Sequence, residues 1–274
     1  MSDHSAPASP RLPARSHFDR RGATYDQAEV HHRVVAILAA GADIEPGLRV
    51  LDVATGTGLL AFEAAERVGP TGRVLGVDIS KGMLAEAHRK AAEMKARNVE
   101  FVLGDAEWLD LPHGSFDRLT CASSLVLMAD IPRALRHWSR FVKPGGLIAF
   151  DTPARPFGLS GLIAEVASRH GVHLRYADAA DTPDKCHSLL NGAGFEGVVV
   201  TTELADTTSV DVDAALAFWD TRLDHPAWQA LKAAPSATRD AVRSSYVEHV
   251  AAAAIGGRVP NDTALNFSFG RKPS

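Results

Sequence analysis

The chain has 274 residues, which is enough for one large domain or two small ones with a sizeable core. Its 29 basic and 33 acidic side chains give a net charge of −4, so it lacks the basic surplus that binds nucleic acid or anionic membranes. We therefore expect a small-molecule partner, with no nucleic acid and no membrane. A homo-oligomer is compatible with this composition.

Cysteine usage and the N-terminal segment predict a soluble, cytoplasmic protein. Cys121 and Cys186 lie far apart and fit neither a disulfide framework nor a zinc site. The opening MSDHSAPASPRLPARS lacks the apolar centre of a signal peptide, and no run of about 18 apolar residues follows. Because residues 1–16 are rich in Pro, Ser, Ala and Arg, they are predicted to be a mobile tail.

The region from residue 25 to residue 152 alternates between helical and strand patterns. A helix is predicted from Tyr25 to Gly41, with Val30, Val34, Ile37 and Leu38 at helical spacing. Strands are predicted at 49–53, 73–78, 99–104, 116–123 and 146–152, and helices at 58–68, 81–96 and 131–142. This order is typical of a parallel sheet covered on both faces, which binds ligands at the carboxyl ends of its strands.

The pattern after residue 152 is less regular. A helix is predicted at about 159–170, and another begins at Thr182 and Pro183 and ends at Gly192 or Gly194. Strands at 198–204 and 264–270 bracket a mostly helical stretch. We expect one domain over residues 17–274, with residues of about 207–258 inserted as a helical cap that faces the substrate.

The loop in VLDVATGTGLL, residues 50–60, carries the chemical signal. Gly56, Gly58 and Ala61 satisfy the relaxed dinucleotide pattern G-x-G-x-x-A, and Asp78 ends the next strand. Taken alone, this pattern also suits a nicotinamide-dependent oxidoreductase. Asp52 favours a different ligand, because a carboxylate beside the loop repels a diphosphate and attracts a ligand with an amine and a sulfonium.

A series of motifs resembles the class I S-adenosylmethionine (SAM) dependent methyltransferases of the methyltransferase type 11 and quinone-biosynthesis kind. These motifs are VLDVATGTG, LGVDIS, NVEFVLGDAEWLDLP, GSFDRLTCASSL and FVKPGG, in family order over residues 49–152, with looser likeness through NGAGF and FSFGRK. The resemblance implies an α/β fold: a Rossmann-like doubly wound sheet, mostly parallel with an antiparallel last strand, plus a helical insertion. It also implies methyl transfer from SAM to an O or C atom of a small-molecule acceptor in biosynthesis.

The resemblance implies a role for each matching residue. The methionyl part of SAM would be held by Asp52 and by the loop residues Ala54, Thr55, Gly56 and Gly58, and the ribose hydroxyls would be bound by Asp78. The adenine would be contacted by Ile79, Met83, Asp105 and Ala106, and the methyl group would be faced by Ser123. Ala54 stands where the family usually has its first glycine, so the turn must accept a methyl group there. Related quinone enzymes often carry the same alanine.

The acceptor side matches no established motif. HFDRRGATYD resembles the quinone C-methyltransferases, but CASSLVLMAD stands where those enzymes have an arginine-asparagine pair, so a quinone acceptor is not supported. The DPPY-type motif of amino-group methyltransferases is absent. Asp151-Thr152 matches only half of the Asp-Asn pair of a metal-dependent catechol site, and we expect no metal.

No general base can be assigned from the sequence. Tyr25, His31 and His32 are candidates, since they lie on an element that often closes over SAM in this family, although both histidines also suit an ordinary surface. Phe218, Trp219 and Trp228 would either line an acceptor pocket or pack the insertion onto the sheet. Two alternatives stay open: a nicotinamide-dependent oxidoreductase, and a SAM-binding protein that does not methylate.

Overall fold

A computed structural model of the chain describes residues 12–174 and 179–274. The helices are α1 Leu12–Asp19, α2 Glu29–Gly41, α3 Leu59–Val68, α4 Lys81–Met94, α5 Ile131–Ser139, α6 Gly158–Arg169, α7 Pro183–Gly192, α8 Val212–Arg222, α9 Gln229–Ala233 and α10 Ser236–Ala253. The strands are β1 Arg49–Val53, β2 Arg73–Asp78, β3 Val99–Leu103, β4 Phe116–Cys121, β5 Val142–Phe157, β6 Glu196–Asp206, β7 Ser209–Asp211, β8 Arg258–Pro260 and β9 Thr263–Arg271.

Seven strands form one sheet in the order β3-β2-β1-β4-β5-β9-β6. The pairs from β3 to β5 are parallel, and β9 is antiparallel to both β5 and β6. The predicted fold class is therefore confirmed. The strand order changes direction between β1 and β4, which is where open α/β sheets leave a crevice for a ligand.

The sheet separates two apolar layers. Val50 and Leu51, neighbours on β1, point to opposite faces, as the two-residue period of a strand requires. Val50 packs in the layer under α2, α3 and α4, while Leu51 packs in the layer that contains Trp138 of α5. Both faces of β1 are thus buried, so the polar groups at its carboxyl end are held on a rigid support.

A third apolar cluster builds the cap, which we define as α8, α9, α10 and the 3₁₀ helix Pro226–Trp228. Trp219, Trp228 and Tyr246 of the cap pack with Ile163 of α6 in this cluster. The short strands β7 and β8 pair at the base of the cap, with Val210 opposite Val259. The cap occupies the predicted insertion, but a two-stranded ribbon closes it, and the sequence pattern did not predict that ribbon.

The N-terminal segment differs from the expectation. Residues 1–11 of the predicted tail lie outside the described residues, whereas residues 12–16 lie in α1. The carboxylate of Asp19 fixes α1 to the start of α4, because Oδ1 accepts from Ser80 Oγ at 2.7 Å and from Gly82 N at 3.0 Å. Tyr25 lies in a 3₁₀ helix, Gly22–Gln27, and α2 begins only at Glu29.

Other predicted boundaries shift because of tertiary contacts. β4 ends at Cys121 rather than residue 123, and Ser123 has a left-handed φ of 51°. β5 extends from Val142 to Phe157, since Val142 pairs with Phe116 and Phe157 with Thr263. Within the described ranges, no helix has both the length and the apolar character that crossing a bilayer requires.

Candidate functional site

A cavity of about 100 Å³, the strand-end cavity, lies where β1, β2, β3 and β4 end. Ten of the eleven predicted cofactor residues line it: Asp52, Ala54, Thr55, Gly56, Asp78, Ile79, Met83, Asp105, Ala106 and Ser123. Parallel strands bring these residues together because their carboxyl ends meet at one edge of the sheet. The structure therefore brings these ten residues together around one cavity, and their contact with a cofactor stays a prediction.

Gly58 is the exception and does not line the strand-end cavity. It precedes α3 with a φ of 84°, and a Cβ added there would lie 2.7 Å from a ring atom of Phe101 and 2.9 Å from one of Phe62. The second glycine of the motif thus allows a tight turn against two aromatic rings. In this structure Gly58 packs against these rings, and its predicted contact with the cofactor stays a prediction.

Asp52 is a buried carboxylate that two hydroxyl groups hold in place. Its side chain is 1% exposed, and it accepts from Thr55 Oγ1 at 2.5 Å and from Thr120 Oγ1 at 2.7 Å. Burial raises the pKa of Asp52 to about 6, although both hydrogen bonds oppose the shift. At pH 7 the group therefore still carries its negative charge beside the cavity.

Asp78 links β2 to the loop that follows β1. Its Oδ2 accepts from Gly56 N at 2.8 Å and its Oδ1 accepts from Ser80 N at 2.8 Å. Burial raises the pKa of Asp78, while these backbone N–H groups favour the ionised form. Because each carboxylate oxygen has two lone pairs, Asp78 keeps acceptor capacity for two further hydroxyl groups.

The charges around the strand-end cavity have one sign. Asp52, Asp78 and Asp105 line it, and the described residues of its lining include no lysine and no arginine. Burial lowers the pKa of His31, which also lines the cavity, so this ring is neutral at pH 7. Such a lining favours a cationic ligand and disfavours a diphosphate.

Ala54 adopts the left-handed conformation that the family's glycine would supply. Its φ is 53°, a region that costs a residue with a Cβ roughly 1–2 kcal/mol. The loop still reaches the cavity, since Ala54, Thr55 and Gly56 all line it. The turn therefore accepts the extra methyl group with some backbone strain.

A second cavity of about 360 Å³, the cap cavity, adjoins the first between the sheet and the cap. The two cavities share Phe18, Tyr25, His31, Ser123 and Leu127 in their linings. Phe218 and Trp228 line the cap cavity, whereas Trp219 packs within the cap at 5.8 Å from the ring of Tyr246. Of the three predicted aromatic residues, two thus face a pocket and one serves packing.

The three candidate bases differ in whether they line the cavities. The ring of Tyr25 stacks on that of His31, with centroids 4.1 Å apart, and both residues line both cavities. His31 Nδ1 lies 3.0 Å from the carbonyl oxygen of Tyr25, so Nδ1 carries the donated proton and Nε2 is the free acceptor. His32 is exposed, lines neither cavity, and contacts the carbonyl oxygen of Asp26.

Asp151, which the sequence analysis considered only as half of a metal-binding pair, also lines a cavity. It lies on β5, is 3% exposed, and lines the cap cavity, and its Oδ1 accepts from Ser123 N at 2.6 Å. Burial raises the pKa of Asp151 to about 7, against the effect of that hydrogen bond. A signal was available, since Asp151 is a single acid in the apolar run LIAFD, just as Asp52 is in VLDV.

The remaining reactive side chains of the described residues are candidate metal ligands or nucleophiles. Among residues 12–174 and 179–274, no group of three or more His, Cys, Asp or Glu is placed to hold a metal ion. Cys121 is buried, and burial raises the pKa of its thiol well above the usual value, so it is unreactive.

Curated relatives of this chain are methyltransferases. Nocamycin O-methyltransferase of Saccharothrix syringae is 38% identical over 51% of this chain and 50% of its own length. Aklanonic acid methyltransferase DauC of Streptomyces is 37% identical over 50% of this chain and 63% of its own length. Demethylmenaquinone methyltransferase of Symbiobacterium thermophilum is 36% identical over 52% of this chain and 60% of its own length. The matches thus span between half and two thirds of these relatives.

Solved structures share the fold across nearly the whole chain. The YcgJ protein of Bacillus subtilis superposes with a TM-score of 0.61 at 20% identity, covering 89% of this chain and 100% of that one. Haemonchus contortus phosphoethanolamine N-methyltransferase 2, solved with SAM, superposes with a TM-score of 0.60 at 19% identity, and the match covers 95% of this chain and 60% of that one. The family described as "Methyltransferase domain" matches residues 50–146. Residues 50–146 are therefore similar to a methyltransferase domain, and the chain shares the fold of these two solved structures.

Proposed function

We propose that this protein transfers the methyl group of SAM to an oxygen or carbon atom of a small-molecule acceptor in a biosynthetic reaction. The observation that carries the proposal is the lining of the strand-end cavity, which includes three aspartates and no lysine or arginine among its described residues. SAM carries a sulfonium and an ammonium against one carboxylate and is therefore a net cation. The chemistry of the cavity fits this group.

Each part of the cofactor has a matching group in the chain. In this proposal Asp78 accepts from the ribose hydroxyls, and Asp52 with the loop Ala54, Thr55 and Gly56 holds the methionyl part. Ile79 and Met83 would pack on the adenine, Asp105 and Ala106 would contact its edge, and Ser123 would lie beside the methyl group. Met83 is buried and Asp78 is held by two backbone N–H groups, so these contacts are rigid before binding.

The protein's contribution to the reaction is mainly positional. Bound in the strand-end cavity, SAM would supply a methyl group on a good leaving group. The cap and the segment with Phe18 and Tyr25 cover the adjoining cap cavity, which would exclude water and hold the acceptor next to Ser123. Fixing two reactants in this way can contribute about 7–11 kcal/mol to lowering a barrier.

Small-molecule acceptors agree with both the relatives and the charge of this chain. The names of the relatives above refer to nocamycin, aklanonic acid and demethylmenaquinone, all small molecules. A net charge of −4 gives no attraction to nucleic acid. We place the activity in the cytoplasm, because Cys121 and Cys186 are both free thiols.

The nicotinamide-dependent alternative gains no support. A dinucleotide would bring its diphosphate next to Asp52 and Asp78, where the lining offers no basic side chain among the described residues. The relatives reported above are all named as methyltransferases.

The decisive experiment incubates the protein with methyl-labelled SAM and a metabolite extract, followed by mass analysis of the products. The proposal predicts a labelled small molecule, and its mass identifies the acceptor. Binding of SAM without a labelled product from any extract would instead indicate a SAM-binding protein that does not methylate.

A further inference from the structure

We propose that Asp151 accepts the proton that the acceptor loses, so that the acceptor is a weakly acidic compound such as a phenol, an enol or a 1,3-dicarbonyl. This inference rests on the proposed function and names its substrate class. Asp151 is not among the three candidate bases from the sequence, which are Tyr25, His31 and His32.

The position of Asp151 at the junction of the two cavities carries the argument. Asp151 lines the cap cavity, and its hydrogen-bond donor Ser123 lines both cavities. Ser123 directs its N–H toward Asp151 Oδ1 from a left-handed backbone conformation, with a φ of 51°. The carboxylate is therefore held at the boundary between the cavity that fits SAM and the cavity that remains for an acceptor.

The surroundings of Asp151 leave it as an available base. Within the described part of the chain, no lysine, arginine or histidine lies within ion-pair distance of it. Burial without a cationic partner raises the pKa of Asp151 to about 7. A base of this strength is half ionised near neutral pH and takes a proton far more readily than an ordinary carboxylate.

The other titratable and charged groups at the cap cavity are weaker candidates. Those lining it are Arg21, Tyr25, His31, Asp206, Arg222 and His225. Cys121 does not line the cavity, but the charge of Asp151 contributes to the raised pKa of its thiol. Burial and the charge of Asp151 raise the pKa of Tyr25, so the phenol keeps its proton. Burial lowers the pKa of His31, and it lowers that of His225 to about 3, so both imidazoles are weaker bases than Asp151.

The proton transfer is balanced by the known chemistry of the cofactor. The acceptor O–H or C–H bond breaks, its proton moves to a carboxylate oxygen of Asp151, and its electron pair forms the new bond to the methyl carbon. The carbon–sulfur pair stays with sulfur, which becomes a neutral thioether, and Asp151 later releases its proton to solvent. A carboxylate acceptor, already ionised at pH 7, would need no such base.

The test compares wild type with Asp151→Asn, using as acceptor the metabolite extract that yields labelled product with the wild-type protein. We expect the variant to lose about 10²–10⁴-fold in rate, the usual contribution of a general base. The wild-type rate should rise with pH up to about 7 and then level off. Asp206→Asn, which alters another carboxylate of the same cavity, should keep that inflection.

Two measurements without turnover complete the test. Calorimetry with S-adenosylhomocysteine should give the same affinity for wild type and Asp151→Asn, which shows that the variant is folded and binds the cofactor product. Carbon-13 NMR of the aspartate carboxyls should show one resonance that titrates near pH 7 and is lost in Asp151→Asn. A resonance of Asp151 that titrates at its ordinary pH would overturn the assignment.

The outcomes distinguish this inference from the function on which it rests. If wild type transfers no label, the proposed function itself fails. If wild type and Asp151→Asn transfer label at equal rates with the same pH profile, only the assignment of Asp151 fails. A labelled methyl ester or methylamine as the product would contradict the acceptor class, whereas an aryl ether, an enol ether or a C-methyl compound would support it.

Discussion

The Oδ2 atom of Asp78 accepts a hydrogen bond from the backbone N–H of Gly56, 2.8 Å away. This contact joins the carboxyl end of β2 to the loop after β1, so one carboxylate both shapes the loop and faces the cavity. The geometry of the loop and the charge of the site therefore depend on the same side chain.

Asp78→Ala should weaken the binding of both SAM and S-adenosylhomocysteine by about 100-fold or more. The reason is that charged hydrogen bonds contribute roughly 1.5–3 kcal/mol each, and two to the ribose would be lost. Isothermal titration calorimetry measures this directly. Glu100→Gln, at an exposed site on the neighbouring β3, is the matched control, and unchanged affinity in Asp78→Ala would refute the ribose assignment.

The affinity for SAM should rise with pH through about 6. The pKa of Asp52 is raised to about 6 in the free protein, and the ionised carboxylate attracts a cation whereas the protonated form does not. Thr120→Val removes a hydroxyl donor 2.7 Å from Asp52 and should move the midpoint to higher pH.

Calorimetric titrations at several pH values check the shift of the Asp52 midpoint. Thr202→Val is the control, because that hydroxyl donates to Asn266 on the outer strands instead. A midpoint that stays at the same pH in Thr120→Val would show that Asp52 does not govern SAM binding.

Gly58→Ala should destabilise the protein more than Gly194→Ala. Both glycines have a left-handed φ, 84° and 85°, but a Cβ at position 58 meets the Phe101 ring at 2.7 Å, while one at position 194 meets nothing within 4 Å. We expect Gly194→Ala to cost about 1 kcal/mol from backbone strain alone. Urea unfolding of both variants gives the comparison, and equal losses would argue against the packing role of Gly58.

Asp151→Asn should be more stable than wild type at pH 8 and should lose this advantage near pH 4. The folded pKa of about 7 exceeds the unfolded value of about 3.9, so the folded state binds more protons between them. The free energy of unfolding of wild type therefore falls as pH rises from about 4 to about 7, by on the order of 4 kcal/mol at most. Asp151→Asn does not show this fall, because the amide of Asn does not ionise.

Asp117→Asn provides a control of opposite sign. Although burial opposes the shift, hydrogen bonds from Lys143 at 2.6 Å and from the N–H of Arg49 at 2.9 Å lower the pKa of Asp117. The ionised carboxylate of Asp117 therefore stabilises the folded state above its unfolded pKa, and this stabilisation is lost in acid. The free energy of unfolding of Asp117→Asn should be lower than that of wild type at pH 7 and similar to it near pH 3. Urea unfolding of wild type and both variants across this pH range measures these differences. If the free energy of unfolding depends on pH in the same way for wild type and Asp151→Asn, the buried charge of Asp151 is contradicted.

The region over residues 49–152 could be predicted because its signals are local. Strand β1 is an apolar run that ends in a glycine-rich turn, and α4 is capped by Ser80, whose Oγ accepts from Met83 N. Such patterns fix the type of each element and its end at the sheet edge. They also bring the cofactor residues together, since that edge is common to all parallel strands.

The errors lie where distant contacts decide. The composition of residues 1–16 predicts a mobile tail, but residues 12–16 lie in α1, whose last residue, Asp19, accepts from the backbone N–H of Gly82, a contact that no local pattern encodes. The role of Gly58 depends on Phe101, which is far away in sequence. The sequence presents Asp151 only as half of a metal-binding pair, because its contact with Ser123 and its place in the cap cavity arise only in the folded chain.

The most direct test of the central claim is a calorimetric comparison of SAM and NADH binding to the wild-type protein. The account predicts that SAM binds and that NADH does not, because Asp52, Asp78 and Asp105 repel a diphosphate at a cavity without basic side chains among its described lining residues. Tight binding of NADH together with no binding of SAM would contradict it.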